Sequence, residues 1–123
     1  MIPPVASLID QYDAITEYWS PKVVARVNDQ YLKAAKVKGT LVWHKHDAED
    51  ELFYIVKGRL RIEYEGGEAA HLEAGQFHVV PRNTMHNPVA DEECWILLIE
   101  PVSTKHTGDV VTEKTKSIAE QLA

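Results

Sequence analysis

The sequence is poor in cysteine, in long apolar runs and in positive charge, and each shortage closes off a class of protein. One cysteine, Cys94, stands among 123 residues, so no internal disulfide can staple the fold. The longest apolar candidate, Trp95 to Ile99, is of strand length and falls far short of the roughly 18–20 residues of a membrane-spanning helix. Lysine and arginine total 13 against 19 acidic residues, a formal charge of -6. That balance argues against nucleic acid or an anionic membrane as the main partner and favours a small molecule. No N-terminal stretch joins a basic head to an apolar run and a small-residue cleavage site, so a cytoplasmic chain is expected.

What is present is regular punctuation. The chain is of a size for one domain, divided here into an N-terminal segment 1–20, a barrel 21–101 and a C-terminal loop with a short helix 102–123. Leu8, Tyr12 and Ile15 recur at helical spacing and predict one or two helical turns before Trp19-Ser20-Pro21 breaks the pattern. Short strands then follow: Lys22 to Val27, Tyr31 to Val37, Glu51 to Val56, Leu60 to Tyr64, Glu68 to Leu72, Phe77 to Val80, Thr84 to Val89 and Glu93 to Glu100. Turn signals separate them at Asn28-Asp29, Lys38-Gly39, Lys57-Gly58, Gly66-Gly67, Pro81-Arg82-Asn83 and Asp91-Glu92. Eight or nine short strands at this spacing describe an all-β antiparallel sandwich or barrel. Glu113 to Leu122 reads as a C-terminal helix with Ile118 and Leu122 four apart; so short a helix must dock.

The stretch His44-Lys45-His46-Asp47-Ala48-Glu49-Asp50-Glu51 carries the chemistry. If its flanks are strand, His44 and His46 share one face with alpha carbons roughly 6.5 Å apart. Buried imidazoles need partners for a donor and an acceptor each, and a metal ion is one way to supply them. Glu51 shares a face with Phe53 and Ile55 by period-two alternation, a poor place for a carboxylate without a cation.

The run from Gly39 through His44, His46 and Glu51 to Gly58 resembles the first motif of the cupin superfamily, with four residues rather than five between Gly39 and His44. Gly75, Pro81 and His86 are similarly placed to the second motif; Asn83 stands where the family has a glycine, and Ala90 replaces a terminal asparagine, with Asn87 close by. Asparagine tolerates the left-handed backbone better than most residues, so that turn can survive. The resemblance implies a small jelly-roll barrel with short terminal helical segments. It also implies one divalent transition metal (Fe, Mn, Zn, Ni or Cu) held by His44, His46, Glu51 and His86. Donors of this kind suit any of these metals and leave coordination positions open.

Other residues have plainer readings. Asp47, Glu49 and Asp50 form a solvated acidic rim, with Glu49 as the rival to Glu51. His78 reads as a structural histidine, His71 and His106 as surface or loop residues, and Cys94 as a small buried hydrophobe. Trp43, Tyr31, Phe53, Ile55, Met85 and Trp95 are core rather than substrate platform. Lys57, Arg59, Arg61 and Arg82 belong to a solvent face unless an anionic substrate meets them. Thr104 to Asp109 is a polar loop placed to close over the barrel mouth.

The implied activity is metal-dependent chemistry on a small molecule, either dioxygenase-type or sugar isomerase-type, as in barrels similar to mannose-6-phosphate isomerase. The alternative is a non-catalytic module binding a sugar or carboxylate. Glu49, His78 and Tyr54 are the candidates for a proton carrier. Unpaired jelly-roll edges lead to an expected homodimer.

Overall fold

The computed structural model describes all 123 residues. Helix α1 (Leu8–Asp13) is followed by β1 (Lys22–Val27), β2 (Gln30–Thr40), β3 (Glu51–Lys57), β4 (Arg59–Tyr64), β5 (Ala69–Glu73), β6 (Phe77–Val80), β7 (His86–Pro101) and α2 (Ile118–Leu122). The named strands pair antiparallel, in the order β1-β2-β7-β3-β6, while β4 joins β7 on one side and β5 on the other. The expected all-β jelly-roll architecture with short terminal helices is present.

Strand β7 organises the barrel. Its first half, His86 to Val89, pairs with β4, and its second half, Trp95 to Ile99, with β3, while β2 follows it over both halves. The two strands expected at Thr84 to Val89 and Glu93 to Glu100 are therefore one 16-residue strand. Asp91-Glu92 is not a turn: the register shift between Val37 and Gly39 of β2 absorbs the irregularity, as a β-bulge does where a strand bends between sheets. Lys38-Gly39 likewise lies within β2, with Gly39 at φ 81°.

Alternation along the strands builds the interior. Phe53 and Ile55 of β3, Leu60 and Ile62 of β4, and Ile96 and Leu98 of β7 meet in one apolar cluster. Each such side chain contributes roughly 1.5–3 kcal/mol when fully buried. Cys94 belongs to this cluster. Gly58 turns beneath it: at φ 86°, a Cβ there would stand 2.7 Å from the Glu93 carbonyl oxygen, so the turn admits no side chain.

The termini dock on opposite terms. Helix α1 packs through Tyr12, which stacks on Trp95 with ring centroids 4.9 Å apart and donates its hydroxyl to the Ile96 carbonyl at 2.6 Å. Beyond β7, Thr104 and Thr107 are fully buried, and Gly108 (φ 60°) lies so close to the Lys45 carbonyl that no Cβ would fit. The polar loop thus straps the metal-motif segment at Lys45. The C-terminal helix begins at Ile118 rather than Glu113. Thr112 and Thr115 side chains take the Lys114 and Thr112 amides, and His106 takes the Lys116 amide, which holds the preceding turn out of the helix. Ser117 and Glu120 then form a capping box, and the buried residue of α2 is Gln121, while Leu122 is exposed.

Candidate metal centre

Residues 41–50 are largely irregular, contrary to the strand expected around His44. Instead, His44 makes an isolated bridge to His86: its amide donates to the His86 carbonyl at 3.0 Å, and its carbonyl accepts from the His86 amide at 2.9 Å. This bridge joins the two motifs and sets the imidazoles of His44 and His86 with centroids 4.4 Å apart. Asn83, at φ 57°, caps the neighbouring turn, its amide donating to the His46 carbonyl at 2.6 Å. The left-handed position expected for the glycine substitute is realised. Glu51 opens β3 and points inward with Phe53 and Ile55.

Four side chains meet there. One ligand atom from each of His44, His46, Glu51 and His86 lies within 4.8 Å of the others, and all four residues are buried. An ion at about 2.0–2.2 Å from each donor gives separations up to about 4.4 Å across the metal, so only slight closure is required. The tautomers favour ligation. His44 Nδ1 donates to the Val42 carbonyl and His86 Nδ1 to the Thr84 carbonyl, both at 2.8 Å. Each bond fixes its ring and leaves the Nε2 lone pair directed elsewhere. His46 Nε2 and His86 Nε2 stand 3.5 and 3.6 Å from Glu51 Oε1, too far for good hydrogen bonds. All three atoms are buried without a hydrogen-bond partner, at a cost that a cation would remove.

The electrostatics fit the same donors. Burial, with His86 adding repulsion, pushes His44 down to about 4, so its ring is neutral near pH 7. Burial also acts on His46, but contact with Glu51 outweighs it and raises that imidazole. Burial would raise Glu51; the proximity of His46 and His86 prevails and holds its carboxyl well below the usual range. Glu51 is thus an anion waiting for positive charge.

The other candidates lie elsewhere. Glu49 accepts from Ser103 Oγ at 3.0 Å, and Asp50 accepts from the Arg82 amide at 2.8 Å. His78 is bonded to the Tyr64 hydroxyl at 2.7 Å, the structural role expected of it. Tyr54 alternates away from the face that carries Glu51 and Phe53. None of Glu49, His78 or Tyr54 joins the cluster. Trp43, expected in the core, is 42 % exposed; Arg59 is largely exposed, Lys57 covers the Trp95 ring, and Arg61 pairs with Asp91.

Two features escaped sequence reasoning. Lys33 of β2 and Glu100 of β7 form an ion pair at 3.0 Å, 1 % and 2 % exposed. Burial and the neighbouring charge of Glu51 raise the Glu100 carboxyl well above the usual range, and Lys33 only partly opposes them. Polar residues at inward strand positions, Lys33 among Tyr31, Ala35 and Val37 and Glu100 after Ile96 and Leu98, were the available signal. The second is His106, expected at the surface. It borders a cavity of about 20 Å³ with His44, Glu51 and apolar neighbours, because the C-terminal strap carries it inward.

Comparison with known proteins agrees with this geometry. A match to the family described as "Cupin domain" spans residues 33–100. The chain is 35 % identical over 63 residues to YdbB of Bacillus subtilis, covering 51 % of this chain and 56 % of that protein. It is 34 % identical over 55 residues to the pectin degradation protein KdgF of Dickeya dadantii, covering 45 % and 49 %. The aligned stretches thus span about half the length of these relatives. A cupin-2 domain-containing protein from Shewanella frigidimarina superposes with a TM-score of 0.77 at 39 % identity, over 79 % of this chain and 94 % of that one. KdgF from Halomonas superposes with a TM-score of 0.57 at 33 % identity, over 66 % and 78 %. With the family match covering more than half its length and both motifs folded around one buried donor set, the chain belongs to the cupin family.

Proposed function

We propose that this protein is a metal-dependent cupin enzyme acting on a small oxygen-rich molecule. The observation that carries this reading is the convergence of His44, His46, Glu51 and His86 with three buried polar atoms left without partners. A divalent transition metal held by these residues would supply Lewis-acid or redox chemistry. The chain's own contributions are distinct: Glu51 brings the negative charge, Val42 and Thr84 carbonyls orient His44 and His86, and apolar walls exclude water.

Resemblance to two proteins named KdgF, one of them described as a pectin degradation protein, supports a carbohydrate-derived acid as the substrate class. His46 also lines a surface cleft of about 160 Å³ with Lys45, Glu49, Ser103 and Lys105, a polar approach suited to such a molecule. The alternative is a module that binds a small acid or sugar without turning it over. The 20 Å³ cavity beside His44 and Glu51 favours the small acid, being too small for a sugar.

The test is to load the purified protein with iron, manganese, nickel, copper or zinc in turn and incubate it with sugar acids released from pectin. Oxygen uptake and product NMR are followed together. Oxygen consumption with iron indicates dioxygenase chemistry, anaerobic rearrangement indicates isomerisation, and ligand-induced spectral change without turnover indicates the binding module. Failure to take up any metal would overturn both readings.

We further propose a homodimer. Strands β1 and β6 are the two ends of the long sheet, and β6 exposes Phe77 and Val79, an edge that a second copy would cover. Sedimentation at micromolar concentration should give twice the chain mass; a monomer would refute the pairing.

A further inference from the structure

His106 lies in the strap that follows β7, and one of its nitrogens is already committed. Nδ1 accepts a hydrogen bond from the Lys116 backbone amide at 2.9 Å. A ring nitrogen that accepts carries no proton, so the neutral imidazole has its hydrogen on Nε2. No protein group accepts that hydrogen. Burial pushes this imidazole down to about 4, which keeps the ring neutral, with Nε2 as its single donor, around pH 7.

The ring borders the same small cavity as His44 and Glu51, whose remaining walls include Trp19, Leu41, Phe53 and Leu98. A volume of about 20 Å³ has room for one water-sized group. His106 is only partly buried, so its free Nε2–H is open to an acceptor that enters the chamber. His106 cannot swing away easily. Thr104 and Thr107 on either side are fully buried, and Gly108 is pressed against Lys45.

Resting on the metal-centre reading above, we propose that His106 is a ligand-positioning residue whose Nε2–H donates a hydrogen bond to the acceptor atom of a small anion seated between it and the metal centre. His106 is not a fifth protein ligand, because the proton it keeps on Nε2 occupies the lone pair a metal would need. Ligands that place an oxygen or nitrogen acceptor in the cavity are selected over apolar ones of equal size, since they alone satisfy the donor.

The experiment uses cobalt(II)-loaded protein titrated with sodium azide and followed by visible absorption, for the wild type, His106→Gln and His106→Leu. All three should bind one cobalt with similar affinity. Azide should bind roughly tenfold or more weakly to His106→Leu, the loss expected for one hydrogen bond to a charged acceptor. Gln, which keeps an N–H donor, should restore much of the affinity. In zinc-loaded wild type, the His106 Nε2 proton resonance should move downfield as azide is added, a readout that depends on no variant folding. Equal azide affinity in wild type and His106→Leu, or an unmoved proton resonance, would overturn the inference. Loss of cobalt from both variants would overturn it too, by making His106 part of the metal's own shell. Stoichiometric cobalt in the wild type without any azide response defeats this inference alone, whereas a wild type that takes up no cobalt defeats the metal-centre reading beneath it.

Discussion

Two charged groups are buried side by side in this barrel, and they are built on opposite terms. Lys33 Nζ donates a hydrogen bond to Glu100 Oε2 at 3.0 Å, so each of these buried groups has the other as its partner. His44, His46, Glu51 and His86 bring four ligand atoms within 4.8 Å of one another, yet His46 Nε2, His86 Nε2 and Glu51 Oε1 have no partner at all. The first pair is largely complete within the protein. The second is complete only with something added, and its donors are those a divalent metal takes. Removing a member should therefore have consequences that differ in kind: at the open cluster metal binding is lost, while at the closed pair stability is lost even with no metal present.

The largest effect is expected at the open cluster. His86→Ala or His46→Ala should abolish stoichiometric metal binding while the barrel stays folded. Metal added to the wild type at a few hundred to a thousand times its dissociation constant should raise stability by about 3–4 kcal/mol, and the variants should forgo that gain. Thermal melts with and without metal check this; a variant that kept the full metal-dependent shift would break the comparison.

Next comes the closed pair. Lys33→Met leaves Glu100 buried without its cation, at a cost of about 3 kcal/mol. Because Glu100 already tends to hold its proton, the cost should sit at the lower end of what broken buried pairs show. Lys33→Met with Glu100→Leu should regain most of it. Urea melts of the metal-free protein should give this pattern.

Acid sharpens the contrast. His44 and His106 are each pushed down to about 4 by burial, against about 6.5 in an unfolded chain. Between those values the unfolded chain binds protons that the native protein refuses, so the metal-free protein should lose stability as pH falls from about 6.5 to 4. The ceiling is about 3 kcal/mol per histidine. Two groups oppose it: His46 is raised by Glu51, and Glu100 is raised by burial. Both bind protons more readily folded than unfolded and so contribute stability that is lost as pH rises. A net loss on the order of 2 kcal/mol is expected, read from urea midpoints across that pH range. A flat profile would contradict the burial of these rings.

The smallest effect is expected in the apolar half. Burial lifts the Cys94 thiol to about 12, so a thiol reagent should find it inert in the folded protein whether or not metal is present. Rapid labelling on metal removal would mean that the core, and not the site alone, depends on the ion.

The positions of His44, His46, Glu51 and His86 were legible in the sequence because motif spacing is local and the ligand pattern lies in two short segments. Most strands were legible too, since turns punctuate a period-two pattern. Asp91-Glu92 misled because acidic residues at a bulge look like residues at a turn, and only the register against Val37 and Gly39 separates the two. Lys33 and Glu100 lie 67 residues apart; each is visible alone as a polar residue on an inward face, but their meeting depends on pairing between β2 and β7. His106 had no spacing to mark it. Its place is fixed by the strap and by a backbone amide ten residues further on, neither of which a pattern of residue types reveals.

The most direct test of the open cluster is metal analysis of freshly purified protein beside Glu51→Gln, both prepared without chelators or a metal-binding tag. Near-stoichiometric transition metal in the wild type, and a marked loss in a variant that keeps its shape but not its charge, is the predicted result. A wild type that arrives empty and refuses added metal, or a Glu51→Gln protein that holds metal as well as the wild type, would contradict the account.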